Sequence, residues 1–250
     1  MARVFITGST DGLGRAAAAS LLRDGHEVIV HARSSRRVPA VQHLLDRGAQ
    51  LVTGDLSIEE EVRQLAAEAS GIDGIDAVIH NAGVLDGPAL LPVNVVAPYL
   101  LTALIPGPRR LIYLSSGMHR GGDTGLEGLD WAGGTTTASY STTKLQVTAL
   151  SAAVARLVQS VASNAVDPGW VPTRMGGRSA PDSLELGHRT QEWLATSDDP
   201  AALASGGYWY HQRRKAPHPA VRDIQFQDAL LARLAAHTGV TLDALGSRHS

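Results

Sequence analysis

Three glycines near the amino terminus constrain this chain more than any other feature. Gly8, Gly12 and Gly14 stand between a short apolar run, Val4-Phe5-Ile6-Thr7, and a strong helix former, Arg15-Ala16-Ala17-Ala18-Ala19-Ser20-Leu21-Leu22. Strand, glycine loop and helix in that order are the setting of a phosphate-binding turn. Glycine lets the backbone turn tightly and approach a pyrophosphate, and the helix N-terminus offers unpaired N–H groups and partial positive charge to an anion. Gly14 allows the helix to pack close to the strand. The spacing is GxxxGxG rather than the commoner GxGxxG, and a plain glycine-rich turn has the same composition. Its place at the head of an alternating strand and helix pattern favours dinucleotide binding.

That alternation continues along the chain. Further strands are expected over residues 26–32, 50–53, 76–80, 110–114, 161–166 and 206–210. Helices are expected over 39–47, from a capping box at Ser57 and Glu60, from near Pro92 with Pro98 in its early turns, and over 140–157, 184–194 and 223–238. Alternating elements predict an α/β fold, a Rossmann-like doubly wound parallel sheet flanked by helices. No repeat or linker divides the chain, so residues 1–250 read as one domain. Residues 4–173 carry the motifs. Residues 174–250 supply a Gly-, Ser- and Pro-rich lid, the last strand, a basic loop over 211–218 whose prolines break regular structure, and an amphipathic C-terminal helix.

Composition removes other function classes. A length of 250 residues buries a sizeable core, and a net charge of -2 gives no footing to nucleic acid or an anionic membrane. There are no cysteines, which excludes disulfides, thiolate metal sites and cysteine nucleophiles. No stretch approaches the roughly 20 apolar residues of a membrane span, and the first apolar run is a strand rather than a signal peptide. A cytosolic protein without a metal is expected.

The chemistry centres on Tyr140-Ser141-Thr142-Thr143-Lys144. Residues four apart share one helix face. A phenol has a reference pKa of about 10, and a fixed ammonium beside it favours the phenolate. Taken alone, the pair is an ordinary packed tyrosine and a snorkelling lysine. Other candidates lie at strand ends, where ligands bind in such sheets. After the second strand comes Ala32-Arg33-Ser34, with Arg36 and Arg37 behind it. An arginine and no carboxylate at this point favours NADP(H) over NAD(H), since it grips a 2′-phosphate, although Asp11 in the glycine loop weighs slightly against it. A solvated basic turn is the competing reading of Arg33. Asp55 is either a ligand contact or a turn residue. Asn81 is placed to brace neighbouring strands, Gly83 permits close backbone approach, and Asn94 sits inside a helix, which calls for a surface or a functional reason.

Together these stretches resemble the short-chain dehydrogenase/reductase family. They are Thr7-Gly8-Ser9-Thr10-Asp11-Gly12-Leu13-Gly14, Asn81-Ala82-Gly83, Ser115-Ser116, Tyr140 to Lys144, and Pro168-Gly169 with Thr173, in the family's order. The resemblance implies a nicotinamide cofactor, NADP(H) in preference to NAD(H), and a Ser-Tyr-Lys set with an auxiliary Asn. Carried over, Tyr140 is the general acid in reduction and the base in oxidation. Lys144 lowers its pKa and holds the nicotinamide ribose. Ser116, chosen over Ser115, polarises the carbonyl, and Asn94 holds a relay water. Asp55 and Leu56 meet the adenine, Asn81 to Gly83 flank the cofactor, and Thr173 with the Val171 backbone bonds the carboxamide. The implied assembly is a homodimer or homotetramer. Ser116 and Tyr140 lie 24 positions apart, which looks like the retinol-dehydrogenase-like branch, whereas Gly83 and Asn94 are only 11 apart, short for the family.

The reading that follows is an NADP(H)-dependent ketone or aldehyde reductase acting on a small-molecule carbonyl or alcohol. His119, Trp131, Trp170, Met175 and Trp193 are candidate substrate contacts for an apolar or ring-containing substrate; each is equally read as core or lid packing. The Ala- and Arg-rich composition is that of many high-GC bacterial proteins. A non-catalytic dinucleotide sensor is the alternative, against which Ser116, Tyr140 and Lys144 all count. A sugar-nucleotide epimerase or dehydratase is a third, for which the chain looks short.

Overall fold

Short apolar runs become the strands of one sheet in the computed structural model, which describes residues 1–72 and 74–242. The strands are β1 (Arg3–Ile6), β2 (Glu27–Ala32), β3 (Gln50–Thr53), β4 (Ala77–His80), β5 (Arg110–Leu114), β6 (Ala162–Asp167), β7 (Tyr208–Tyr210) and β8 (Arg213–Lys215). Their order is β3-β2-β1-β4-β5-β6-β7-β8. All neighbours pair in parallel except β7 and β8. The chain steps outward from β1 to β3 and then returns to place β4 beside β1. That reversal opens a crevice at the carboxyl ends of β1 and β4, where a doubly wound sheet binds its ligand.

Parallel strands buried on both faces need helices on both. On one side α1 (Gly12–Arg23), α2 (Gln42–Leu45) and α6 (Leu184–Thr196) close a core containing Ile6, Val30, Leu21, Leu44 and Leu194. On the other, α3 (Glu59–Ser70), α4 (Ala97–Leu104) and α5 (Tyr140–Leu157) close one containing Phe5, Ile29, Leu65, Leu100 and Leu150. The short α7 (Pro200–Leu203) precedes β7. The amphipathic C-terminal helix, α8 (Ile224–Thr238), lies over α5. Phe226, Leu230 and Leu234 join that second core, and Arg156 of α5 reaches Gln227 at 2.8 Å and pairs with Asp228. Because Leu230 is fully buried, Leu230→Ala is expected to cost about 2–5 kcal/mol, read as a lower urea midpoint with an unchanged slope.

Several local expectations are corrected. Residues 39–47 form no continuous helix; a 3₁₀ turn, Ser35–Val41, leads into α2, and Pro39 inside it withholds a backbone donor. Ser57 does not cap α3. Its hydroxyl donates to Asp55 Oδ1 at 2.7 Å, and the residue before the helix is Ile58. The helix expected near Pro92 opens as a π-helical turn, Pro92–Val96, before α4. Pro98 has no N–H for the Asn94 carbonyl four residues back, so the ladder shifts to a longer bond from Ala97 N to Pro92 O. The basic segment after β7 holds a strand, β8. His211 and Gln212 carry φ of 48° and 59°, the left-handed pair of a tight hairpin turn, and the prolines fall beyond it. Residues 243–250 of the expected C-terminal region lie outside the described residues.

Candidate active site

The glycine loop is built into the sheet from three sides. Gly8 and Gly12 adopt φ of 66° and 51°, which side chains resist. A Cβ on Gly8 would meet Ala82 Cα at 2.9 Å, and one on Gly12 the Thr173 methyl at 3.1 Å. The loop, the turn after β4 and the segment after β6 therefore meet at one crevice, as the paired motifs require. Asn81 spans it, with Nδ2 donating to Thr7 O at 2.9 Å and to Gly8 O at 3.2 Å. Asp11 caps α1, accepting from Gly12 N at 2.7 Å. A cavity of about 580 Å³ runs alongside, lined by Asp11, Gly12, Arg15, Thr173, Arg174 and Arg178. Close backbone approach, a helix start and cationic side chains together fit a dinucleotide pyrophosphate.

Ser9 of the loop and His31 of β2 brace the loop rather than touch a ligand. Ser9 is fully buried, donating to Ile6 O at 2.5 Å and accepting from His31 N at 2.9 Å. His31, which sequence reasoning passed over as a strand residue, accepts from Gly8 N at 2.9 Å through Nδ1. Its Nε2 lies 2.8 Å from Gly54 O, so the neutral tautomer with hydrogen on Nε2 ties the glycine loop to β3. Burial holds the ring below its ordinary pKa, which keeps it neutral and Nδ1 free to accept.

At the end of β2, Arg33 is exposed and lies 3.9 Å from Asp55. Asp55 also accepts from Ser57 N at 3.0 Å, which holds its carboxylate in the turn after β3, next to Leu56. Arg37 reaches back to Thr10 Oγ1 at 3.3 Å, bringing a second guanidinium from that turn to the glycine loop.

Ser139 caps α5, accepting from Thr142 N at 3.1 Å, and so fixes Tyr140 and Lys144 in the first turns of one helix face. Tyr140 is half-buried, with the Ser116 hydroxyl near enough to act on its phenol. Ser115 points elsewhere, to Thr148 Oγ1 at 2.6 Å. Lys144 is buried, donates to Leu114 O at 2.7 Å, and holds Nζ 5.5 Å from the Tyr140 ring centroid. Burial pulls the Lys144 ammonium down to about 8. Burial pushes the Tyr140 phenol up to about 12, opposed by the Ser116 hydroxyl and assisted by the negative Asp167. The protein alone thus keeps Tyr140 protonated, which differs from the depressed phenol that the Lys144 contact led one to expect.

Asn94 is buried and its amide is committed. Oδ1 accepts from Val84 N at 2.9 Å, and Nδ2 donates to Val84 O and Thr143 Oγ1, both at 3.0 Å. Its side chain fastens the strand end near Gly83 to α5. Lys144 Nζ and Asn94 Oδ1 converge on Gly83, each within 3.4 Å of where a Cβ would stand.

The candidate substrate residues separate. His119 is fully buried with both ring nitrogens engaged, Nδ1 to Ser116 O at 2.7 Å and Nε2 accepting from His218 N at 2.9 Å. It props the Ser116 turn from below. Trp131 belongs to the core beside α4 and α5, and Trp193 stacks edge-on against Trp209 in the opposite core. Trp170 and Met175 are exposed. Trp170 bonds Gly176 O at 2.7 Å and so shapes the segment carrying Met175. Sequence reasoning missed Asp167, which ends β6, and Tyr208 of β7, whose hydroxyl donates to Asp167 Oδ2 at 3.1 Å. The described residues include no helix long and apolar enough to cross a membrane and no cluster of metal ligands.

Comparison with known proteins agrees with this geometry. The family model described as short chain dehydrogenase matches residues 2–98. The chain is 36% identical to short-chain dehydrogenase chry4 of Gibberella zeae, covering 97% of this chain and 99% of that protein. A solved structure of a protein from Mycobacterium paratuberculosis matches with a TM-score of 0.81 at 23% identity, covering 97% of this chain and 95% of that one. A short chain dehydrogenase from Shigella flexneri, solved with NADP, matches at 0.68 and 21% identity, covering 85% and 97%.

Proposed function

The chain belongs to the short-chain dehydrogenase family and is a dinucleotide-dependent oxidoreductase acting on CH–OH; on that premise we propose that it reduces a ketone or aldehyde with NADPH. The observation that carries the reading is the Ser116–Tyr140 hydroxyl pair with Lys144 beside it, at the same sheet edge as the glycine loop. The loop from Gly8 to Gly14 would hold the pyrophosphate, Asp55 and Leu56 the adenosine, and Lys144 the nicotinamide ribose. Asn81 to Gly83, and Pro168, Gly169, Val171 and Thr173, would border the nicotinamide. When bound, the reduced nicotinamide supplies a hydride to the carbonyl carbon. Ser116 donates a hydrogen bond to the carbonyl oxygen and Tyr140 gives it a proton; the resulting phenolate is reprotonated from solvent through the Lys144 side. Positioning both donors in advance is where the rate gain arises.

Met118, Trp170 and Met175 are exposed near this edge and suit an apolar or ring-containing substrate. The homodimer or homotetramer that the family resemblance implies would pair through a face other than the part of α5 that α8 covers.

NADPH preference is supported by Arg33 and Arg37, which meet the turn after β2 and the glycine loop, and by the NADP bound to the Shigella relative. Titration of the purified protein with NADPH and NADH, read by melting temperature and fluorescence, tests it. A larger stabilisation by NADPH, followed by NADPH consumption with some member of a ketone and aldehyde panel, is expected; binding of neither cofactor would remove the proposal. Arg33→Asp is expected to weaken NADPH by about tenfold or more while changing NADH little, since one charge-assisted contact to the 2′-phosphate is lost. Calorimetric titration checks this, and equal losses for both cofactors would clear Arg33 of reading the phosphate.

A further inference from the structure

A carboxylate stands among the hydroxyls of the site and has no part in the chemistry described so far. Asp167 ends β6 at the crevice edge of the sheet. Its Oδ1 accepts from Gly169 N at 3.0 Å and its Oδ2 from the Tyr208 hydroxyl at 3.1 Å. Oδ2 also lies 3.2 Å from where a Cβ of Gly117 would stand, so the carboxylate packs against the residue that follows Ser116. A side chain on Gly117 would press on it there. The Ser116 hydroxyl in turn stands beside the Tyr140 phenol and acts on it. A formal negative charge is thereby fixed beside the Ser116–Tyr140 pair, and an anion near a phenol disfavours the phenolate.

We propose that Asp167, held by the Tyr208 hydroxyl, is a positioning residue that keeps Tyr140 in its proton-donating form and so extends carbonyl reduction into alkaline solution. The inference rests on Tyr140 being the proton donor. Other groups around the pair do not supply the same charge. Lys144, one turn along α5, opposes it, and burial makes that ammonium weak. Ser116 is a neutral donor. His119 is held neutral by burial on the turn after β5. Arg120, on the same turn, acts on His119 and Tyr208 with the opposite sign to Asp167. From β7, Tyr208 and Tyr210 are both kept protonated, with Asp167 contributing in each case and Asp182 contributing at Tyr210. Asp167 is the anion that acts on Tyr140 itself.

The sign is fixed. Removing the charge lowers the phenol's midpoint, so the alkaline fall of reduction and the alkaline rise of oxidation both move to lower pH. The experiment is an alkaline titration of [13Cζ]tyrosine-labelled protein with NADP+ bound, the Tyr140 signal being assigned from Tyr140→Phe. In Asp167→Asn the Tyr140 midpoint is expected to fall by about half to one pH unit, with the alkaline limb of ketone reduction following it. Tyr208→Phe keeps the carboxylate but removes the phenol that holds Oδ2 in place, so the midpoint is expected to fall there too, by less than in Asp167→Asn. An unchanged Tyr140 midpoint in Asp167→Asn, or a rise in Tyr208→Phe, would overturn the proposal. If Asp167→Asn does not fold, Tyr208→Phe decides alone. The resonance needs no turnover, so loss of the proton-donor reading through an active Tyr140→Phe enzyme remains a separate result.

Discussion

Tyr140→Phe should lower carbonyl reduction by about 10²–10⁴-fold, the contribution of a positioned general acid, while leaving NADPH affinity and the melting temperature close to wild type. The substitution removes one oxygen and keeps the ring that Lys144 faces. Its structural cost is at most about 1 kcal/mol for a polar contact, since the neighbouring Ser116 hydroxyl accepts from Met118 N at 3.2 Å and so keeps a partner. The kinetic cost is larger because no neighbour replaces the proton. Ser116 is a far weaker acid, and Lys144 Nζ lies 5.5 Å from the ring centroid, bonded to Leu114 O, where it serves the phenol rather than the carbonyl. NADPH consumption with the best substrate of the ketone panel, beside calorimetric NADPH binding, reads both arms. Retained turnover would sink the assignment of Tyr140. Loss of cofactor binding along with turnover would mean the ring itself, rather than its hydroxyl, holds the nicotinamide end.

What the sequence displays and what it hides divide along sequence distance. The glycine loop, the apolar strands and the four-residue step from Tyr140 to Lys144 are local patterns, each set by backbone geometry within one or two elements, and they were readable as such. Asn81 was placed to brace strands, and its amide does so. Asp167 and Tyr208 were not readable, because their contact exists only where β6 and β7 pair across 41 positions of chain. His31 looked like any strand residue. Its role arises because β2 lies between the glycine loop and β3, so one imidazole reaches both. The Ser57 capping box failed because Asp55 Oδ1 accepts from both the Ser57 hydroxyl and its N–H, which folds the residue into a turn one position short of the cap, where Ile58 stands instead. The β7–β8 hairpin was missed because its turn uses His211 and Gln212 in left-handed conformations where sequence rules look for Asn or Gly. Pattern also misplaced aromatic residues: Trp131 and Trp193 are large enough to suggest a pocket, yet both fill cores.

The second large effect is expected at Gly14. In an ordinary helix, Gly→Ala stabilises by up to about 1 kcal/mol, since alanine loses less backbone freedom on folding. Here the sign reverses. A Cβ on Gly14 would overlap the Asn81 amide nitrogen and stand 2.7 Å from the Gly8 carbonyl oxygen. Neither neighbour has room to yield. Gly8 is backbone held by His31 and packed on Ala82, and Asn81 Nδ2 is bonded to Thr7 O and Gly8 O. Relief therefore requires α1 to lift from the sheet or Asn81 to abandon the strand ends, and both moves open the crevice proposed to receive the pyrophosphate. Gly14→Ala is expected to lose about 1–3 kcal/mol of stability from overpacking. NADPH affinity should fall by more than about tenfold, because the proposed pyrophosphate site is built from the loop's own geometry. Gly121→Ala is the control: nothing lies within 4 Å of its Cβ position, so the same change there should leave the urea midpoint nearly unmoved. A Gly14→Ala protein that melts and binds NADPH as wild type does would show that α1 floats free of Asn81, and the close packing of helix on strand would no longer explain why the third glycine of the loop is a glycine.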